Sequence, residues 1–525
     1  MTVVAEEFDI IIVGSGAGGG TLAHTLAPTG KRILIIERGG FAPMARQGSA
    51  QTAETWYDAH GRPFSPAVHY YVGGATKVYG AALCRLRPMD FASIGHIDGA
   101  SPAWPFGYAE FEPWYDKAEW LYQVHGKHGE DPTEGSWSLE YLWPPVTHDP
   151  IVQQLADELT LAGYQPFHTP TGVLPGEPDP PGTGARARQA GPGRCARCGT
   201  SDGSPCVRHA RADADVIAVR PLLDLPNVTL LVGAEVTRLE TDSRGRSVTG
   251  VVATRAGARE VYRGDIVVLA AGAVNSARIL LGSACEAHPG GLGNGSGQVG
   301  RNLMCHNHTD VTCVVKGPHC AGFQETLGLN DFYLGGRQAR WPLGSIQLLA
   351  GRAVGFRLTT EDLPRPANRV TVDGQGRVRL AHVATGDGAA RLLYRSLRTM
   401  LSGTKMIAQA APSGPARGGP PAADYAGTCR AGADPATSVL DPSCRAHELD
   451  NLYVVDASFF PSIGAVSPAL TIMANAIRVG EHLAARLCCA PAAGALTARD
   501  RPSELTSVGL SVRQARDLAL PASGW

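Results

Sequence analysis

Residues 8–19 read FDIIIVGSGAGG, a short apolar run that ends in a glycine turn. Phe8 to Val13 suits a strand buried on both faces. Gly14-Ser15-Gly16-Ala17-Gly18-Gly19 fits G-x-G-x-x-G, and residues 20–29 can continue as a helix. A second apolar run, Lys31 to Ile36, ends at Glu37. Strand, glycine turn, helix, strand and acid in this order predict a dinucleotide site. Gly14 permits the tight turn, and Gly16 lets the backbone approach a pyrophosphate, with Ala17 beside it among the expected cofactor contacts. Gly19 lets the helix pack close to the sheet, and Glu37 is placed to accept hydrogen bonds from a ribose.

Two later segments extend this unit without choosing between FAD and NAD. Residues 227–239 (NVTLLVGAEVTRL), which include Val236, read as two strands around a glycine turn. Residues 265–281 (DIVVLAAGAVNSARILL) read as a buried strand, a small-residue turn and a helix. Ala270, Ala271, Gly272 and Ala273 present little side chain there, so backbone can approach a flat cofactor. The whole chain of 525 residues is long enough for about three domain-sized units. Its 47 basic and 48 acidic residues leave a net charge of −1 with no long block of one sign. That balance does not suit nucleic acid or a basic membrane-surface role. Twelve cysteines are too few for a disulfide scaffold, and no stretch is apolar for long enough to span a bilayer. The expected location is the cytoplasm, with reduced thiols.

Residues 451–483 read NLYVVDASFFPSIGAVSPALTIMANAIRVGEHL. Together with the glycine motif, residues 72–87 (VGGATKVYGAALCRLR), 104–126 (WPFGYAEFEPWYDKAEWLYQVHG) and 272–283 (GAVNSARILLGS), this stretch resembles the glucose–methanol–choline (GMC) family of FAD-dependent oxidoreductases. The matching segments run in family order from about residue 8 to 485. The resemblance implies an α/β (α+β two-domain) fold, a Rossmann-like FAD-binding domain with an inserted substrate domain of antiparallel sheet backed by helices. It divides the chain into a discontinuous cofactor domain (1–95, 191–305 and 425–485), a substrate domain (96–190 and 306–424) and a C-terminal extension (486–525). It implies FAD as cofactor, with Gly73, Gly74, Ala75, Thr76 and Val78 along the flavin. Asp456 and Ala457 should meet the ribityl and pyrophosphate region, and Val466, Ser467, Pro468 and Thr471 the pyrimidine end. Some members link the flavin to a His in the segment after the paired glycines. The nearest equivalent here is Val78, so non-covalent FAD is expected.

The chain departs from the family where the alcohol proton is handled. Family members oxidise an alcohol by hydride transfer to flavin N5, with a His managing the hydroxyl proton and a second His or Asn on the same oxygen. The first position is Asp424, three residues before Gly427-Thr428, and the second is Ser467, before Pro468. In one reading Asp424 is the proton acceptor and Ser467 holds the substrate oxygen. A carboxyl group ordinarily titrates near 3.9, and burial beside the flavin is expected to raise it towards a useful base. The alternatives are other flavin chemistry, such as desaturation or amine oxidation, and a catalytically inactive FAD-binding protein. His306, His308 and His69 are further candidates for the base. Cys195, Cys198, Cys206 and His209 form C-x2-C-x7-C-x2-H, but a plain loop is expected there, not zinc. The function expected is oxidation of a polar small molecule, a sugar or amino sugar, with electrons passed to oxygen or another acceptor.

Overall fold

The computed structural model describes residues 2–43, 54–174, 195, 203–315, 325–335, 339–349, 354–408 and 424–487. Cys198, the proline-rich loops read at 175–193 and 411–423, and the tail beyond residue 487 lie outside the described residues.

The FDIIIV run is the end of a longer strand, Thr2–Val13, at the centre of a seven-stranded sheet. It pairs in parallel with Ile33–Ile36 on one side and with Ala258–Leu269 on the other. Val228–Leu231 and Leu452–Val454 extend the parallel part, and Val248–Arg255 and Ala234–Thr241 add an antiparallel edge. Ile10, Ile11 and Ile12 are fully buried, as a strand covered on both faces requires. The first helix is Ala17–Leu26, starting earlier than propensity suggests. Its glycines are there for contact: a Cβ on Gly18 would sit 2.5 Å from the Val455 carbonyl oxygen, and one on Gly19 1.9 Å from that of Gly14. Close packing against the sheet therefore outweighs the helix cost of glycine, about 1 kcal/mol per residue.

A second sheet of six strands is antiparallel throughout: Met406–Ala408, Asn307–Val315, Val354–Thr360, Ser345–Leu349, Leu327–Leu329 and Pro166–His168 in spatial order. The helices Pro150–Leu161 and Asp387–Leu401 share an apolar core with it, through Leu155, Leu159, Phe356, Leu393 and Leu397.

Two connections cross the expected domain limits. Trp56–Asp58, in the span assigned to the cofactor domain, pairs with Val378–Ala381 of the substrate span. The helix Tyr108–Leu121 lies against the cofactor layer instead of the antiparallel sheet. Tyr115 hydroxyl meets Thr471 hydroxyl at 2.8 Å, and Tyr122 hydroxyl meets that of Thr21 at 2.7 Å. Its buried acids Asp116 and Glu119 also bind Arg85, which pins this helix to the segment after the paired glycines. Among the described residues no helix is long and apolar enough to cross a membrane.

Candidate active site

A cleft of ≈ 300 Å³ opens beside the C-terminal ends of the parallel strands, bounded by Gly14 to Gly18, Glu37, Ala270 to Asn275 and Ser467 to Ala469. Three helices begin on it: Ala17–Leu26 after Gly16, Ala273–Gly282 after Gly272, and Ala469–Arg486 after Pro468. None has a side-chain N-cap hydrogen bond, so each leaves first-turn N–H groups for something else. Convergent helix N-termini favour negative charge, such as a pyrophosphate. A Cβ at Gly16 would meet only Gly74 Cα at 3.8 Å and the Gly73 oxygen at 3.9 Å, and one at Gly272 would meet nothing within 4 Å. Those two glycines leave space in the cleft, whereas Gly14 and Gly19 are filled in by protein. The arrangement fits FAD.

Of the residues expected at the cofactor, Gly14, Gly16, Ala17, Glu37, Gly74, Thr76, Val236, Ala271, Asp456, Ala457 and Pro468 line this cleft. Glu37 is buried and accepts from Ser15 N–H (3.0 Å), Ser15 hydroxyl (2.7 Å) and Gly39 N–H (2.9 Å). Asp456 lines the wall, but its carboxylate is spent on the loop, accepting from Gly272 and Ser458 N–H and from the hydroxyls of Ser276 and Ser458.

Five expected residues do not line the cleft, among them Val466, which is buried outside it. Gly19 is a packing glycine. Gly73, with φ +93°, has its N–H on Ser15 hydroxyl, and a Cβ there would strike Asp215. Val78 is buried outside the cleft. Thr471 is fully buried with its hydroxyl on Tyr115. The sequence reading missed Arg38, Tyr70, Asn275 and Arg278, which line the cleft. Arg38 stacks on the Tyr70 ring and pairs with Glu54 at 3.1 Å. Asn275 and Arg278, three apart on one helix face, were legible in the quoted segment 272–283.

At the other end of the cleft lie Asp424, Tyr425 and Ser467. An antiparallel bridge pairs Met304 with Ala426 through two 3.0 Å hydrogen bonds. Counting outward from it sets Asp424 opposite His306. The two-residue period of an extended chain then puts His306 and His308 on one face. His306 Nδ1 and His308 Nε2 both lie 3.1 Å from Asp424 Oδ2. His306 Nε2–H donates to the Gly464 carbonyl at 3.2 Å, and Thr359 hydroxyl lies 3.1 Å from His308 Nδ1. Asp424 Oδ1 has no partner among the described residues, and the side chain is 35% exposed. Its φ of +54° is left-handed, an uncommon state that Asp tolerates.

These contacts reverse one expectation. Burial does push the Asp424 carboxyl up, but hydrogen bonds and charge from His306 and His308 outweigh it and hold the group well below the usual carboxylate range. Burial, against the pull of Asp424, holds His308 below the ordinary imidazole value. Asp424 alone is therefore a poorer base than an isolated carboxylate. The three ligand-type atoms lie within 4.8 Å of one another, a metal-like spacing the sequence reading did not foresee. Hydrogen bonds to one shared oxygen account for that spacing. Cys195, Cys206 and His209 form no such set among the described residues. His69 also lines the cleft, beside Tyr70, with its Nδ1 unpartnered.

Residues 182–308 and 389–476 match GMC oxidoreductase models, and residues 9–82 match an FAD binding domain. Paromamine 6'-oxidase of Streptomyces fradiae is 31% identical, over 91% of this chain and 92% of the relative. The 6'''-hydroxyparomomycin C oxidase of Streptomyces lividus is also 31% identical, over 93% of each. The chain belongs to the GMC oxidoreductase family. Solved structures with the same fold include pyridoxine 4-oxidase (TM-score 0.60, 19% identity, 90% of this chain and 99% of that one) and a fungal aryl-alcohol oxidase (TM-score 0.63, 15% identity, 92% and 100%). This GMC oxidoreductase is thus an FAD-dependent enzyme acting on CH–OH groups.

Proposed function

We propose that this enzyme oxidises a hydroxyl group of an amino sugar, with Asp424, His306 and His308 handling the hydroxyl proton as one unit. The single observation that carries the reading is the free Asp424 Oδ1 at the cleft, backed through Oδ2 by two imidazoles. A carboxylate held well below its ordinary range suits a cationic substrate, and the two 31% identical relatives are named as oxidases of paromamine and of 6'''-hydroxyparomomycin C. FAD, when bound in the cleft, would supply the two-electron acceptor for the hydride of the carbinol carbon.

The rest falls to the chain. Asp424 Oδ1 accepts the substrate hydroxyl, and Ser467, whose hydroxyl has no partner among the described residues, steadies the same oxygen. The proton released as C–O becomes C=O resides on the Asp424–His306–His308 unit, whose affinity for it comes from the imidazoles. Gly464 carbonyl and Thr359 hydroxyl fix the two rings. Gly16, Gly74, Ala271, Gly272 and the three helix N-termini hold the cofactor, with Glu37 and Val236 at its adenosine end. FAD is held without a covalent link, since the nearest equivalent of the linking His is Val78, whose side chain has no nucleophile, and acid precipitation should release it to the supernatant. Oxygen as final acceptor and a cytoplasmic setting complete the proposal; Cys84, Cys305, Cys313, Cys429 and Cys444 are buried free thiols, in keeping with a reducing compartment.

The test is anaerobic mixing of the yellow holoenzyme with matched pairs of amino sugars and their hydroxyl analogues. Bleaching of the flavin absorbance that favours the amine member is expected. No bleaching by any sugar alcohol would overturn the reading.

A further inference from the structure

Behind the catalytic corner lies a second, much smaller cavity, ≈ 20 Å³ on the measure that gives the cleft ≈ 300 Å³. One water-sized group needs about 10–15 Å³, so an ammonium head fits and a sugar ring does not. The acids Asp90, Asp98 and Glu361 line it, and no Lys or Arg does. Glu361 is 8% exposed. Its Oε2 faces His96 Nε2 at 3.1 Å and accepts from Ser101 hydroxyl at 3.3 Å, but its Oε1 is buried with no hydrogen-bond partner. A buried carboxylate oxygen left unpaired is destabilising unless a donor arrives. Asp90, 4% exposed, accepts from Arg87 N–H and Tyr333 hydroxyl (2.8 Å), and burial together with the charge of Glu361 pushes it up to about 7. Asp98 sits at the exposed rim, where its carboxylate accepts from Gly386 N–H at 2.8 Å.

The chain runs directly from the lining of one cavity to that of the other. Ala465 lines the small cavity and Ser467 the cleft, two residues apart and so within about 7 Å. Gly464 faces both sides, since its carbonyl accepts from His306 while a Cβ on it would lie 3.3 Å from the Tyr333 hydroxyl and 3.4 Å from Asp90 Oδ2.

We propose that this acidic cavity is a binding site for a primary ammonium group, with Glu361 Oε1 and Asp90 accepting its hydrogen bonds and Asp98 guarding the entrance. The ammonium comes either from the substrate, in which case the site extends the amino-sugar reading above, or from a free amine. Both share the same chemistry.

Calorimetric titration of the holoenzyme with n-propylammonium chloride, against potassium chloride at equal ionic strength, reads the site without turnover. Saturable binding of one equivalent is expected, weakened at least tenfold in Glu361→Gln and unchanged in Asp424→Asn. Tetramethylammonium, too large for the cavity and without N–H donors, should not compete. Should Glu361→Gln fail to fold, Asp98→Asn is the alternative, with a smaller loss that high salt erases. No saturable binding, or equal affinity in wild type and Glu361→Gln, overturns the proposal. The source is read by turnover: a raised KM with unchanged kcat in Glu361→Gln for an amino sugar, absent for its hydroxyl analogue, assigns the ammonium to substrate. An unchanged KM with propylammonium still bound assigns it to a free amine. Since the titration needs no bleaching, failure of the amino-sugar reading leaves it interpretable.

Discussion

The two ends of the cleft are built on different principles. The end around Gly14 to Gly18 and Ala270 to Ala273 is built largely of backbone: glycines, helix N-termini and strand ends. The end around Asp424 is made of side chains from segments far apart in sequence, joined through the Met304–Ala426 bridge. A backbone site is written locally, in residue types that geometry demands. A side-chain site depends on which strands meet, and that is settled only by the fold.

The largest effect should come from breaking the first end without breaking the fold. Gly16 and Gly19 belong to one motif but serve different ends. At Gly16 a Cβ enters the cleft and meets protein no closer than 3.8 Å, whereas a Cβ at Gly19 would sit 1.9 Å from the Gly14 carbonyl oxygen. Gly16→Val should therefore give a soluble, folded, colourless protein with no activity, and Gly19→Ala a misfolded one. Flavin occupancy after gel filtration and circular dichroism separate the two. A yellow Gly16→Val at full occupancy would mean that the pyrophosphate lies elsewhere.

Next comes Asp424. Replacement by Asn keeps the shape, removes the charge, and leaves His306 and His308 without the carboxylate they share. Loss of acid–base assistance costs about 10²–10⁴-fold, or about 2.7–5.5 kcal/mol. The limiting rate of flavin reduction in single-turnover mixing should fall by that amount. If only the substrate dissociation constant rises, and only for charged substrates, Asp424 is an anchor and the proton goes elsewhere.

A smaller, graded effect follows from pH. Asp424 is held well below the ordinary carboxylate range, so it stays ionised and adds no titration near neutrality. His308 is held below the ordinary imidazole value of 6.5, and it must be neutral to take up a proton. Flavin reduction should thus be flat above about 6.5 and fall as pH drops further, with its midpoint below that value. His308→Gln should flatten the acidic limb. A limb that persists in His308→Gln would shift the role to His306 or His69.

Much of the first end was legible in sequence, for the reason just given. Gly14, Gly16 and Glu37 sit where a strand–turn–helix pattern requires them, and the small residues at 270–273 do line the cleft. The second end was legible only as a gap, an Asp and a Ser where the family has other residues. No periodicity in 424–428 says that two imidazoles share Asp424 Oδ2, because that contact is created by pairing with residues 304–308. The expected rise in the Asp424 titration failed on the same ground: burial was foreseeable, and its neighbours were not. Thr471 and Val78 show a related limit. Position in a motif places a residue near a cofactor, but side-chain direction decides whether it faces the cofactor or the core.

Thr471 carries the smallest predicted effect and the sharpest separation of the two principles. It stands in the first turn of the Ala469–Arg486 helix, on the cleft's border, yet its hydroxyl lies 2.8 Å from that of Tyr115. Tyr115 also accepts from Leu86 N–H at 3.2 Å and is itself fully buried. Thr471→Val keeps the β-branched shape and removes only the hydroxyl, leaving Tyr115 one buried partner short. A net hydrogen bond is worth about 0.5–1.5 kcal/mol, and stranding a buried polar group about 1–3 kcal/mol. The unfolding free energy of the apoprotein, read as a lower denaturant midpoint, should therefore fall by an amount in that range, while FAD affinity and the rate of flavin reduction stay within about twofold, under about 0.5 kcal/mol. The reverse pattern, an unchanged midpoint with weakened FAD, would mean that the hydroxyl turns to the flavin when cofactor is bound. Thr471 would then belong to the cofactor site after all, and Tyr115 would need another explanation for its place under the helix.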